Sequence, residues 1–472
     1  MRAKWSTIGG WAALAIAFAA FALLRPLDHD ESQYVAAAVL TGQGLLPYRD
    51  YAYLQTPLQP FLFAPVAALA GAWAWPVLRL VNALLGAVAV GCVAGAARAA
   101  GASRRQASVA AALFAACDIL LFSIGTARND ALPCALYAGA LWLIVRDRDR
   151  PAETAMLGLL LAAAAAIKIS YGLPVATYGL LMLSRPRRLP WLIAGAVPVA
   201  LLVALTSWLA PAGFVFGTFG FPARAPHEYY LATGRPWKLS GVVKALDTLK
   251  FLALGPALLA LAAIAWRRPT RPTLLDALVL AGLLSALLPT PTWRQYLLPL
   301  LPPLFVRLAR LWTLRPPARA ERIAAVVFAC AGLAPTIAAV GARDAAIVGA
   351  VRQSRAIAGA LARSGMPAGT VATLSPQFLP AAGLVPDPRF APGPFYFRSH
   401  GLLSPQDERA LHLLSRRTLR DAALPAIVLV GGEGVWTSGD AQLDRLLEGE
   451  AARRHYRPVA VTGTPFRLWV RS

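Results

Sequence analysis

Acidic residues are scarce in this sequence: 23 among 472, against 46 lysines and arginines, for a formal net charge of +23. Cysteine and histidine are also sparse, at four and five. Cys92, Cys117, Cys134 and Cys330 all fall inside apolar runs without ligand spacing. That excludes a disulfide framework and a cysteine-based metal site. No Gly-rich phosphate loop follows a strand, and no Walker, zinc or nucleophile-elbow pattern is present, which argues against soluble nucleotide chemistry. The basic excess does not imply nucleic acid. The arginines cluster in short turns between apolar runs, where they act as topology determinants.

What the chain does have is apolar sequence, 57% of it. Runs of about 16–22 residues rich in Ala, Leu, Val and Gly predict a polytopic α-helical membrane protein, not a barrel whose strands would alternate. Eleven spans are expected, near 8–24, 77–97, 107–124, 131–145, 153–169, 171–184, 190–210, 251–266, 274–289, 296–312 and 323–341. The first follows Arg2 and Lys4 without a small-residue cleavage site, so it reads as an uncleaved span and not a signal peptide.

The apolar stretch 58–74 is short and contains Pro60 and Pro65. If it does not cross, the basic turns Arg104–Arg105, Arg146–Arg150, Arg185–Arg188, Arg267–Arg271 and Arg315–Arg322 share one side with Arg2 and Lys4. If it crosses, they split between the faces, against the positive-inside bias. It is therefore expected to lie along, or dip into, the outer leaflet of an inner membrane, with the N-terminus cytoplasmic. The same parity puts 28–50, "TARND", "IKISYG", 211–250 and "PTWRQY" outside.

Character changes after about residue 342. The stretch 343–365 has helical periodicity, "TVATL" and "AIVLVGG" are buried-strand candidates, and the end reads as a hairpin turning at Thr462–Pro465. Residues 1–341 thus form the membrane domain, with a first outer loop at 26–76, and 342–472 a small extracytoplasmic α/β domain.

Three of the scarce acids, Asp28, Asp30 and Glu31, crowd into four residues after the first span. They could be helix caps for "ESQYVAAAVLTG". Tyr34, Tyr48, Arg49, Asp50, Tyr51 and Tyr53 follow, giving a carboxylate-rich, aromatic loop at the bilayer rim that favours a functional site. Arg128 and Asp130 sit at the outer end of a span, and Asp118 lies within it, where a carboxylate must be protonated, paired or wetted. Lys168, behind five alanines, can snorkel or hold an anion as a point charge. Arg294 and Tyr296 repeat the theme. The segment 211–250, with Arg224, His227, Glu228, Tyr229, Tyr230, Arg235 and Lys238, is expected to be a flexible lid.

Carboxylates and cations gathered at a membrane–water boundary suit a substrate with a lipid tail and a phosphate head. A phosphate leaving group needs cations, here Lys168, Arg128 or Arg294. An acceptor hydroxyl needs a base, and Asp30 is the first choice, with Glu31 orienting it or standing second. No motif calls for a cofactor, and a divalent cation at the carboxylates is left open. A transporter or lipid flippase, with Asp118 and Lys168 as a coupling pair, is the rival reading, but the polar groups gather at one face and no inverted repeat is apparent. A non-catalytic assembly partner would leave the Asp30–Glu31 cluster unexplained.

The order of motifs (Asp30-Glu31 after the first span, "PY…TPL", Arg128-x-Asp130, Lys168 before a short span, then "RQYLLPLLPP") resembles the GT-C superfamily. Within it the chain is similar to the protein O-mannosyltransferase and lipid A aminoarabinose transferase group. The family's Lys-Gly-Pro is "KIS" here, and Gln55 of "LQTPL" stands where its first-loop lysine does. The resemblance covers the membrane part and implies juxtamembrane helices in the first outer loop. It also implies transfer of a sugar from a polyprenyl phosphate to an envelope lipid, glycan or protein.

Overall fold

The computed structural model describes residues 2–267, 273–341, 347–399, 401–435 and 440–471, with only the backbone of residues 2–8. Four helical stretches are long and apolar enough to cross a membrane: Leu58–Ala99, Leu189–Leu209, Arg294–Leu314 and Arg319–Gly341. Their settings differ. Most of Arg294–Leu314 is buried inside the protein, 83% of its apolar window, whereas Leu189–Leu209 is only 11% buried and turns most of its apolar surface outward. Leu201, Leu205 and Trp208 are exposed there, as a lipid-facing helix requires. Shorter apolar helices occupy Gly9–Leu24, Ala131–Arg146, Pro151–Ile167, Ile169–Met182 and Leu274–Leu287.

The basic turns carry conventional helix starts. Ser103 and Gln106 cap Arg104–Ala115 reciprocally, and Thr273 and Asp276 do the same for Leu274–Leu287. Of the turn at 267–271 only Arg267 is described. Residues 342–346, where the second domain was expected to begin, lie outside the described residues.

Two expected spans are not straight. The run 107–124 breaks into Arg104–Ala115 and Asp118–Ile124, bent by 66°, and Ala257–Trp266 is bent by 97° from Gly241–Ala253. The two breaks meet. The Asp118 amide donates to the Leu254 carbonyl at 3.0 Å, so one interruption satisfies a backbone group of the other. A Cβ at Gly332, on Arg319–Gly341, would overlap the Ala116 carbonyl oxygen, so that helix packs directly on the broken turn. Broken helices are tolerated at membrane depth where the protein itself covers the freed backbone.

Leu58–Ala70 is a helix that ends at Gly71, whose φ of 52° turns the chain into Ala74–Ala99. The expected lid, 211–250, is instead largely helical: Pro211–Val215, a π turn at Phe216–Gly220, Phe221–Ala232, a 3-10 turn at Pro236–Leu239, and Gly241–Ala253. The order has an apolar cause. Phe216, Phe221 and Ala225 are buried in one cluster with Leu54 and Tyr396, so the segment has its own core.

In the C-terminal part, β1 (Thr370–Ala372), β2 (Val385–Pro386), β3 (Ile427–Val430), β4 (Arg457–Ala460) and β5 (Arg467–Val470) form one sheet in the order β2-β1-β3-β5-β4. β1 runs parallel to β2 and β3, and the closing hairpin β4–β5 is antiparallel, as expected from the sequence. Every residue of β3 is buried. Ile427 and Leu429 join the cluster of helix Ile347–Ser364, while Val428 and Val430 join that of helix Ala441–Arg453. Period-two alternation thus feeds two cores. The first of these continues into the 26–76 region through Val35, Phe63 and Trp75, with Phe378 packed 5.1 Å from the Trp75 ring.

Candidate active site

Helix Glu31–Gly42 begins at the acid cluster, and what lies beneath it decides the roles of the acids. Glu31 is fully buried. Its carboxylate accepts from Trp75 Nε1 at 3.0 Å, Arg79 Nε at 2.8 Å, Arg79 Nη2, the Ala127 amide at 2.6 Å and the Asp28 amide at 3.1 Å. Arg79, itself fully buried, also donates to the carbonyls of Ala22, Arg25 and Pro26. Glu31 and Arg79 therefore tie the end of the first helix, the acid loop and the Thr126–Asp130 turn to one point. With its oxygens so occupied, Glu31 has no free lone pair directed at a substrate.

One helical turn on, Asn82 donates to the carbonyls of Thr126 and Arg128, at 2.7 and 2.9 Å. It fixes the turn that carries Arg128 and Asp130. Sequence reasoning passed over Arg79 and Asn82. Their signal was two polar residues spaced i, i+3 within an apolar helix, where each is costly unless partnered.

Above this support runs a chain of charges. His29 Nε2 lies 3.0 Å from Asp30 Oδ1, and Asp30 Oδ2 pairs with Arg128. Arg128 also contacts Asp28 at 3.4 Å and donates to Asp130 at 3.0 Å. Asp130 pairs in turn with Lys168, whose ammonium lies 5.7 Å from the Tyr296 ring. Tyr34 is buried beside the same groups. The acids and cations therefore alternate, with Asp28 and Asp30 at the accessible end and Asp130 sealed.

Burial alone would raise the Asp30 carboxyl, but Arg128, and then His29, hold it well below the usual carboxylate range. Burial pushes the His29 imidazole down; the charge and hydrogen bond of Asp30 outweigh it and leave it above its ordinary value. Asp30 stands at the N-cap position of helix Glu31–Gly42, yet its side chain makes no cap hydrogen bond. Its carboxylate belongs to the cluster and not to the helix end.

A second group lies around the Phe122 ring. Arg294 stacks 3.7 Å from the ring centroid, Arg25 lies at 5.0 Å and Arg128 at 5.3 Å. Arg294 pairs with the buried Asp118 at 2.9 Å and remains partly exposed. Arg25 is buried with Nη1 lacking a hydrogen-bond partner. This cluster holds two cations for one acid outside the alternating chain. Asp118 and Lys168, considered above as a coupling pair, take different partners.

Of the expected residues, Asp30, Glu31, Tyr34, Arg128, Asp130, Lys168 and Tyr296 converge, and Arg294 with Asp118 adjoins them. Tyr48, Arg49 and Asp50 do not. Arg49 and Asp50 pair with each other on the surface at 2.8 Å. Tyr48 donates to the Gln55 carbonyl and packs on Phe214. Its φ of 67° and its burial mark it as a loop-shaping residue. Asp28, His29 and Asp30 present ligand atoms within 4.8 Å of one another, a spacing a divalent cation could bridge. Asp30, however, already answers Arg128 and His29, so the donor set fits a cation poorly.

The model of glycosyltransferase family 87 matches residues 53–291. No curated protein matches the sequence. Among solved structures, ArnT from Cupriavidus metallidurans bound to undecaprenyl phosphate is similar over 100% of this chain and 98% of its own, at a TM-score of 0.63 and 15% identity. Its apo form is similar over 99% and 98%, at 0.58 and 16%. An oligosaccharyltransferase from Archaeoglobus fulgidus is similar over 94% and 72%, at 0.43 and 14%. At such identities the likeness to ArnT speaks for the fold, from the first helix to the final hairpin.

Proposed function

Because the chain belongs to glycosyltransferase family 87, a family of GT-C membrane glycosyltransferases, we propose that it moves a sugar from a polyprenyl phosphate to a hydroxyl acceptor of the cell envelope. The observation that carries this reading is the juxtaposition of an ionised, partly accessible Asp30 with the cation-rich Phe122 cluster. The acceptor hydroxyl gives its proton to Asp30 as its oxygen attacks the anomeric carbon. The bond from that carbon to the phosphate oxygen breaks on the opposite side, inverting the centre, and the polyprenyl phosphate leaves as an anion. Arg294 and Arg25 receive it, since Arg128 and Lys168 are neutralised by Asp30 and Asp130. The ArnT structure holding undecaprenyl phosphate supports this class of donor.

In the same reading the protein lies in the inner membrane with eleven spans. The four long helical stretches, the two bent pairs and the five shorter helices support this reading, with Leu58–Ala99 also taking in 58–74 and Gly241–Ala253 falling mostly in 211–250. The N-terminus is cytoplasmic, and the site and the C-terminal domain are outside. In a background without native cysteines, cysteine at the exposed positions Arg49, Arg235 and Arg445 should react with a membrane-impermeant thiol reagent in intact cells. Arg105, Arg148 and Arg187 should be shielded. Labelling at Arg148 from outside would overturn the orientation.

Activity is tested with the purified protein, synthetic undecaprenyl-phosphate hexoses and pentoses, and native envelope as acceptor. Release of undecaprenyl phosphate that depends on the protein and increases with envelope is expected. A failure to consume any of these donors would sink the proposal.

A further inference from the structure

One short segment of the C-terminal domain reaches His29. In Pro394–Arg398, Phe395 lies 5.8 Å from the His29 ring. Ser399 Oγ donates to the Ala225 carbonyl at 3.3 Å, and the Gly401 amide donates to Glu228. The segment therefore bridges the acid cluster and helix Phe221–Ala232. Between them sits Arg398, half-buried, with its guanidinium 5.0 Å from the Phe395 ring and 5.2 Å from the Tyr229 ring. Cation–π contact with both rings restrains the group, and among the described residues its N–H groups make no hydrogen bond. Among the described residues no carboxylate lies within ion-pair distance of Arg398. Glu228, an acid of the facing helix, is turned to the Gly401 amide. On the far ring contact, Arg235 also stacks on Tyr229, at 5.4 Å, and donates to its hydroxyl, again without an acid.

A clamped arginine near the proposed base, with no carboxylate at ion-pair distance among the described residues and supplied by the appended domain, has the form of an anion receptor. We propose that Arg398 binds an anionic group of the acceptor, a phosphate or a carboxylate, and so places the acceptor hydroxyl at Asp30. This rests on the glycosyltransferase reading above. The donor phosphate has its own cations at Phe122, on the Arg128 side of Asp30, whereas Arg398 lies on the His29 side. The planar fork of an arginine matches either anion through paired, charge-assisted hydrogen bonds.

The full-length protein would be assayed with the donor found above in two modes: transfer to titrated envelope acceptor, and slow hydrolysis of the same donor by water. Arg398→Gln should raise the half-saturating envelope concentration by about tenfold or more, the loss of a charge-assisted hydrogen bond, and leave hydrolysis and the melting temperature unchanged. Arg398→Lys should fall between. Inorganic phosphate and glucuronate should inhibit wild-type transfer in competition with envelope, and this inhibition should be lost in Arg398→Gln. Pretreating the envelope with phosphatase, or capping its carboxyls with carbodiimide and amine, distinguishes the two sources; one of them should abolish the dependence on Arg398. An equal loss of transfer and hydrolysis in Arg398→Gln would overturn the proposal, as would no loss of either, or indifference to both pretreatments. If the wild type consumes no donor at all, the transferase reading itself falls.

Discussion

Asp30→Asn is expected to lower sugar transfer by about 10²–10⁴-fold, the usual contribution of a positioned general base, while the protein stays folded and retains its donor. The substitution is close to isosteric. Because the Asp30 side chain makes no cap hydrogen bond, the start of helix Glu31–Gly42 should not notice it. Arg128 keeps Asp28 and Asp130 as partners, so the Thr126–Asp130 turn should hold its place. What is lost is the ability to accept a proton. Asp30 is held ionised by Arg128 and His29, so it is competent at neutral pH without a prior deprotonation. Transfer would be measured as acceptor-dependent release of undecaprenyl phosphate, and folding by the melting temperature in detergent. Full transfer by Asp30→Asn would remove the base from this residue. With Glu31 saturated by five donors, no other acid of the opening cluster except Asp28 could then take the role.

Much of this arrangement was legible before any coordinates. Apolar run lengths and arginine turns placed the helices, and the scarcity of acids made Asp28, Asp30 and Glu31 conspicuous. The Arg128-x-Asp130 pair and Lys168 do converge with Asp30, because each sits at the end of a helix beside that cluster. What local pattern could not show were the partners. Whether Lys168 meets substrate or Asp130 is decided by tertiary approach over 38 residues of separation. The helix breaks at 116–117 and 254–256 were signalled only in part, by Asp118 in one run and by Gly255-Pro256 in the other. It is the contact between Asp118 and Leu254, together with the close approach of Gly332, that makes a bend tolerable. The order of 211–250 was missed because its charged residues drew attention from Phe216, Phe221 and Ala225, which bury the segment. Arg398 lies between the strand candidates "TVATL" and "AIVLVGG", in a stretch without a periodic pattern.

The second large effect should appear at a residue that never meets substrate. Arg79→Met removes the cation from beneath a carboxylate with no solvent access, along with the donor that gathers the Ala22, Arg25 and Pro26 carbonyls. Glu31 would keep Trp75 and two backbone amides but lose its countercharge. Breaking a buried pair from one side typically costs about 3–5 kcal/mol, a large part of the stability of an ordinary domain, so little folded protein should be recovered. The loss is expected as a collapse of the monodisperse peak in size-exclusion chromatography, or as a melting temperature too low to purify against. Removing both charges should be less harmful than removing one. In Glu31→Gln with Arg79→Met, the amide still accepts from Trp75 and the Ala127 amide, and no uncompensated charge is left in the core. The double variant should therefore melt above Arg79→Met alone, with a coupling energy that neither single change reports. Its transfer should still be weak, because the Asp28 amide and the Ala22, Arg25 and Pro26 carbonyls would no longer be drawn to one anchor. An Arg79→Met protein with wild-type melting and transfer would mean that Glu31 is satisfied without its arginine. The acid loop would then be positioned by Trp75 and the Asp28 and Ala127 amides alone.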